Sequence, residues 1–223
     1  MNWKKGIGFF LGFFSCICIE AQDDFGSILS ASVSKKITKG LNINFEEEFR
    51  TRSNFSEVDR FSHALELNYK PLNFLKVGGA YNLINFNHEK KSWEIRHRYY
   101  FYATGSLNAG QFTLSLRERF QSTKRQGIKQ TATRVNPKLY LRSRLKVDYN
   151  IRKSKFTPSA SVELFNTLND PVKNEMNQWR GILGVEYKLN KKNFLELYYR
   201  YTNFSDDEEI DKHLFGIGYL FKF

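Results

Sequence analysis

Beyond residue 40 the chain is written almost throughout in period 2, a large apolar residue alternating with a polar or small one. Such alternation puts successive side chains on opposite faces of an extended strand. In LNINFEEEFR, Leu41, Ile43, Phe45 and Phe49 share a face that Glu47 interrupts, opposite Asn42, Asn44, Glu46, Glu48 and Arg50. FSHALELNY sets Phe61, His63, Leu65, Leu67 and Tyr69 against Ser62, Ala64, Glu66 and Asn68. WEIRHRYYF, FTLSLRERF, LYLRSRLKVDY, WRGILGVEYKL and FLELYYRYT repeat the pattern, and HLFGIGYLFKF carries it to the last residue. No segment after residue 22 has convincing helical periodicity, so the chain is read as all-β.

The segments are about ten residues long, the length a tilted strand needs to cross a bilayer. Their connectors alternate, short at 70–73, 103–110, 150–155 and 190–193, longer and more charged at 53–59, 86–92, 121–137, 166–178 and 203–212. That asymmetry predicts an antiparallel up-and-down transmembrane β-barrel with its short turns in the periplasm. Ten strong strands follow residue 41. GSILSASVSKKI at 26–37 is either a further element or evidence of a missed strand, since bacterial barrels usually have even numbers. The predicted count is 10–12.

Alternation alone does not say which face meets water. A secreted sandwich or lipocalin-like barrel turns its apolar face inward. Three features favour the opposite orientation. Aromatics gather at strand ends, as at Phe61 and Tyr69, Trp93 and Phe101, Phe112 and Phe120, Trp179 and Tyr187, matching the girdles of a membrane barrel. The polar face carries Arg and Glu at mid-strand. The last strand ends in Gly218, Phe221 and Phe223, a pattern similar to the C-terminal signal read by the barrel assembly machinery, although Gly216 stands where that signal has a polar residue.

The N-terminus, MNWKKGIGFFLGFFSCICIEAQDD, reads as a secretory signal with Lys4 and Lys5 before an apolar run from Ile7 to Ile19. Cleavage after Ala21 leaves a barrel domain of 22–223, with Ile19 large for the position it occupies before the cut. Cys16 and Cys18 both lie in the signal, so the mature chain can form no disulfide, Cys-based metal site or thiol nucleophile. FFSC is a poor lipoprotein box because its residues before Cys16 are bulky aromatics and Ser. A mean hydropathy of −0.53 excludes a bundle of membrane helices. Lys and Arg number 35 against 23 Asp and Glu. In an exported chain that excess points to an anionic membrane surface, not to nucleic acid. The expected location is the cell outer membrane, with outer-membrane lipids, lipopolysaccharide among them, and the assembly machinery as partners.

EEEFRTR, the recurring R-x-R strands RHRYYF, RERF and RSRL, and the final H-x-x-G-x-G-Y-x-F-x-F resemble the family catalogued as domain of unknown function 2490. The resemblance spans most of the mature chain. It implies an outer-membrane β-barrel of unassigned activity and supplies no catalytic residues.

The polar face supplies the candidate site. Glu46, Glu48, Arg50, Arg96, Arg98, Arg117, Arg119, Arg142, Arg144, Glu163, Arg180, Glu186, Glu196 and Arg200 are expected to line the lumen. Cross-strand pairing of these charges would stiffen the interior, and surplus Arg would favour anions if it conducts. The enzyme alternative is a lipid-modifying hydrolase with a His on the wall, His97 being the candidate, since Ser62 and His63 point to opposite faces. Lys124, Arg125, Lys129 and Arg134 form a basic loop suited to lipopolysaccharide phosphates. The acidic run Asp206, Asp207, Glu208, Glu209 and Asp211 lacks the spacing of a calcium loop, and no cofactor is expected.

Overall fold

The computed structural model describes residues 23–88, 92–131, 135–171, 173–205 and 210–223, so the expected signal at 1–21, Arg134 and the acidic residues 206–209 lie outside the described residues. Eleven strands run β1 (Asp24–Thr38), β2 (Leu41–Arg52), β3 (Glu57–Leu72), β4 (Leu75–His88), β5 (Ser92–Ala109), β6 (Phe112–Arg125), β7 (Lys138–Tyr149), β8 (Phe156–Thr167), β9 (Met176–Lys188), β10 (Asn193–Phe204) and β11 (Lys212–Lys222). Each pairs with its sequence neighbours, and β1 closes the barrel against β11. One end carries the tight turns 39–40, 73–74 and 110–111 with the links 150–155 and 189–192. The other end is where β2, β4, β6, β8 and β10 finish and β3, β5, β7, β9 and β11 begin. Gly40 (φ 84°) and Gly110 (φ 63°) sit where two of the tight turns require a left-handed backbone.

The orientation is that of a membrane barrel. The apolar face of the strands points outward, with Phe101 68%, Leu107 65% and Leu183 62% exposed, while Arg142 at 7% and Glu163 at 2% are enclosed. A water-soluble barrel would reverse this.

The segment at 26–37 is a full strand, and eleven is odd. The expectation of antiparallel pairing throughout therefore fails at one seam. With ten successive reversals β1 and β11 run the same way, and they pair in parallel from Asp24↔Lys212 to Ser34↔Lys222. The seam is tied at its loop end. Asp24 N donates to Asp211 O (2.9 Å), His213 Nε2 lies 3.0 Å from Asp23 Oδ2, and Phe25 stacks on His213 with ring centroids 4.7 Å apart.

Parallel closure also places the start of β1 at the loop end, opposite the C-terminus. An epitope at residue 22 should be reached by antibody from the same side as one in 126–131, while an epitope after Phe223 should be protected. Access to both termini from one face of intact membranes would contradict the closure.

Asp211 shows how the loop end is fastened. Burial would raise its pKa, but the Tyr201 hydroxyl, the Asn203 amide (3.0 Å) and the Phe204 N–H (3.2 Å) all donate to it and hold it below the ordinary 3.8. A carboxyl with a lowered folded pKa stabilises fully above its unfolded value and loses that contribution as pH falls through the folded one. Amide exchange around 203–205 should thus be insensitive to pH-linked opening at neutrality and accelerate only below about pH 4, after correction for intrinsic rates. Asp211→Asn should remove the acid-dependent component.

Candidate functional site

The interior divides into two halves with different chemistry. Towards the loop end, even-numbered residues of β2 and β5 meet partners from β3, β4 and β6. Arg50 donates to Glu48 (2.8 Å) and approaches Asp59 (4.0 Å), and Arg60 binds Asp59 (2.6 Å). Arg125 reaches Glu94 (2.8 Å), which Arg96 also pairs, and the Arg96 guanidinium lies 3.5 Å from the Phe86 ring centroid. Ile28, Ile84 and Leu214 are buried on the same inward face.

The centre is built on Glu163 of β8. It accepts from Arg117 (2.6 Å) and Arg142 (2.7 Å), with Arg180 at 3.7 Å, so one carboxylate joins β6, β7, β8 and β9. Arg142 also donates to Gln121 Oε1 (2.7 Å) and lies over the Phe165 ring at 4.2 Å, with Arg180 at 4.7 Å from the same ring. Each carboxylate oxygen of Glu163 takes one of these arginines, and ring stacking helps to hold the guanidinium planes. The loop-end half thereby carries paired charges and aromatic rings across its interior.

The turn-end half is open. Inward positions there are small or short, with Ser30, Ser32, Ser34, Ala64, Gly78, Ala80, Ser115, Ser159, Ser161, Gly184 and Gly218. Three spaces result. One of about 580 Å³ is lined by Ser32, Asn42, Asn44, Glu46 and Lys222. One of about 380 Å³ is lined by Lys70, Lys76, Tyr102, Arg119 and Arg144. One of about 370 Å³ lies among the side chains of Glu163, Arg117, Arg142 and Arg180 at the centre.

Of the residues expected in the lumen, Glu46, Glu48, Arg98, Arg117, Arg119, Arg142, Arg144, Glu163, Arg180, Glu196 and Arg200 line that last cavity. Arg50 and Arg96 belong to the loop-end cluster, and Glu186 sits opposite Glu196 in the β9–β10 register. At the turn end the Phe221 and Phe223 rings meet edge to face at 4.7 Å, Phe223 N donates to Ser34 O (2.9 Å), and Gly218 pairs in register with Ser30 and Glu196. Arg125 of the basic loop turns inward to Glu94, whereas Lys129 stays exposed.

The aromatic half of the interior was not anticipated. Phe86 and Phe165 stack beneath arginines, and the Tyr100 and Tyr102 hydroxyls donate to Glu66 (3.3 and 2.9 Å). Strand parity would have found Phe165, which continues the face of Glu163 two residues on.

The outer face carries two carboxylates among apolar neighbours. Glu47 pairs with His63 across β2–β3, and Glu118 accepts from the Ser143 hydroxyl (2.7 Å) across β6–β7. His97 contacts Tyr81 Oη (2.8 Å) and Gln126 Oε1 (3.4 Å), and His213 contacts Tyr199 Oη (2.5 Å). The partners of His63, His97 and His213 are carboxylates, phenols and an amide, none a Ser or Thr hydroxyl. Among the described residues no group of three His, Cys, Asp or Glu is placed to hold a metal ion.

A closed barrel with an apolar outside and a charged, ion-paired inside defines the class of porin-like β-barrels. The family described as "Protein of unknown function (DUF2490)" matches residues 25–213, and the chain belongs to that family. Its fold is similar to a solved structure described as a NanC porin in a rhombohedral crystal form, with a TM-score of 0.52 and 15% identity over 80% of this chain and 86% of that one. No curated protein sequence matches the chain.

Proposed function

We propose that the protein is a signal-cleaved outer-membrane β-barrel of structural or passive type, whose interior is held shut on the loop side by arginine–carboxylate pairs and aromatic rings. The Glu163 cluster carries this reading. A single buried carboxylate bridged to arginines from three other strands cross-braces the wall and occupies the lumen at once. The apolar exterior, the aromatic rims and the porin-like fold support the membrane location. The short turns would face the periplasm, and Gly218, Phe221 and Phe223 would present the assembly signal there. Lys124 and Lys129 would face lipopolysaccharide phosphates from the loop end. The barrel has no catalytic role in this reading.

Fractionation tests the location, because a folded membrane barrel stays with the outer membrane and shifts its gel mobility on boiling. Recovery in the soluble fraction without a heat shift would refute the membrane reading. Reconstitution into planar bilayers tests the plug, with a closed trace expected from the wild type. The second reading, an anion-favouring conduit, is supported by arginines beyond those paired to carboxylates and would show as stable, anion-selective steps.

A further inference from the structure

The arginines of β6 and β7 oppose one another. Arg119 pairs in register with Arg142, and Arg117 with Arg144, one step apart on the inward face. Like charges directly opposed across a ladder are destabilising. Glu163 compensates only Arg117 and Arg142 at close range. Among the described residues Arg119 and Arg144 have no carboxylate within ion-pair distance, and the Nε of each is enclosed without a hydrogen-bond partner. Arg119 is supported only by the Tyr100 ring at 4.0 Å and the Tyr102 ring at 5.7 Å.

Both arginines border the cavity of about 380 Å³, together with Lys70 and Lys76. Two acids border it as well. Asp148 pairs with Lys146 (2.8 Å), and Glu66 accepts from Tyr100, Tyr102, Asn44 (3.3 Å) and Asn68 (3.2 Å). With Arg117 and Lys146, six basic side chains face two acids around a concave space, a net positive lining of the kind that concentrates anions. The volume falls within the range of small-molecule sites.

We propose that the turn-end half of the interior is a binding cup for a small multivalent oxyanion, a phosphate-bearing solute, with Arg119 and Arg144 as its floor and Lys76 and Lys70 nearer its mouth. Forked guanidinium donors suit a phosphate's oxygens, and the ammonium groups add charge with less demand on geometry. The anion would sit between the opposed arginines and supplement Glu163, which lies level with Arg144 in the β7–β8 register but pairs at close range with Arg117 and Arg142. The cup lies on the turn-end side of the Glu163 cluster and shares Arg117, Arg119 and Arg144 with the cavity among those side chains. This inference rests on the barrel reading and is independent of whether the plug leaks.

The test is isothermal titration of the folded barrel in neutral detergent with inorganic phosphate and with a hexose phosphate, in chloride of matched ionic strength. Saturable binding of one or both is expected, and their ratio tells a bare anion from a phosphorylated solute. Arg119→Gln/Arg144→Gln should weaken binding by about ten-fold or more. Lys173→Gln, in the exposed loop between β8 and β9 where it pairs with Glu175, should leave it unchanged. Absence of saturable binding, or equal loss in the loop variant, would overturn the proposal. If the double arginine variant loses its heat-shifted mobility, Lys70→Gln/Lys76→Gln decides, and unchanged affinity there counts against the cup. Bilayer recordings on the same preparation separate the two readings. Conduction with intact phosphate binding removes the plug alone, and a closed trace without binding removes the cup alone.

Discussion

Glu163→Gln should lower the stability of the folded barrel by about 3–5 kcal/mol, the cost of removing one partner from a buried ion-paired cluster. The carboxylate is 2% exposed and faces Arg117, Arg142 and Arg180. Replacing it with a neutral amide leaves three guanidinium groups enclosed without their nearest counter-charge, while the side-chain volume hardly changes. The loss is therefore electrostatic and not a packing defect. Urea unfolding in micelles, followed by Trp93 and Trp179 fluorescence, measures it. Introducing Arg142→Gln in the same chain should recover part of the loss, since one of the three enclosed guanidinium charges left without its counter-charge is then removed. A single variant within about 0.5 kcal/mol of wild type, the usual range for surface positions, would show that water already screens the cluster. The same substitution should weaken the plug and convert a closed bilayer trace into intermittent conductance.

Gly216→Val is the second large effect, and its cause is steric. The Tyr198 ring on β10 lies across Gly216 of β11, and a Cβ built there would stand 2.0 Å from Tyr198 Cζ. Only a residue without a side chain lets the ring lie flat against the strand and cover the gap beside it. A valine must either swing Tyr198 into the lumen or part β10 from β11, next to the parallel seam with β1. Overpacking of this kind costs about 1–3 kcal/mol. Tyr198→Ala alone should be milder, and Gly216→Val/Tyr198→Ala should be more stable than Gly216→Val alone. Equal instability of the single and double variants would place the strain in the backbone and not in the ring contact. A functional readout follows as well, because Tyr198 borders the central cavity.

The outward carboxylates show where local pattern and fold part company. Glu47 interrupts an apolar face and finds His63 directly opposite in the β2–β3 register. That pairing depends on which residues of two strands come level, which no single segment specifies. Glu118 likewise meets Ser143 only because β6 and β7 align as they do. The inward arginines divide in the same way. R-x-R spacing puts Arg117 and Arg119 on one face, yet the choice of Glu163 as the counter-charge of Arg117 joins residues 46 positions apart.

The strand segments, the apolar and charged faces, the short-turn end and the terminal aromatic motif were all legible from residue order, because period 2 is a local property of extended backbone. The barrel type and the family resemblance followed from them. The odd strand number, the parallel seam and the loop-end position of the β1 start emerged only on closure, since they depend on pairing between residues nearly two hundred positions apart. Closure also decided which charges and rings meet inside the barrel and where the spaces between them lie. Phe86, Phe165 and the paired arginines meet at one level of the cylinder, while Ser, Gly and Ala meet at another, and only the stagger of eleven strands brings either set together.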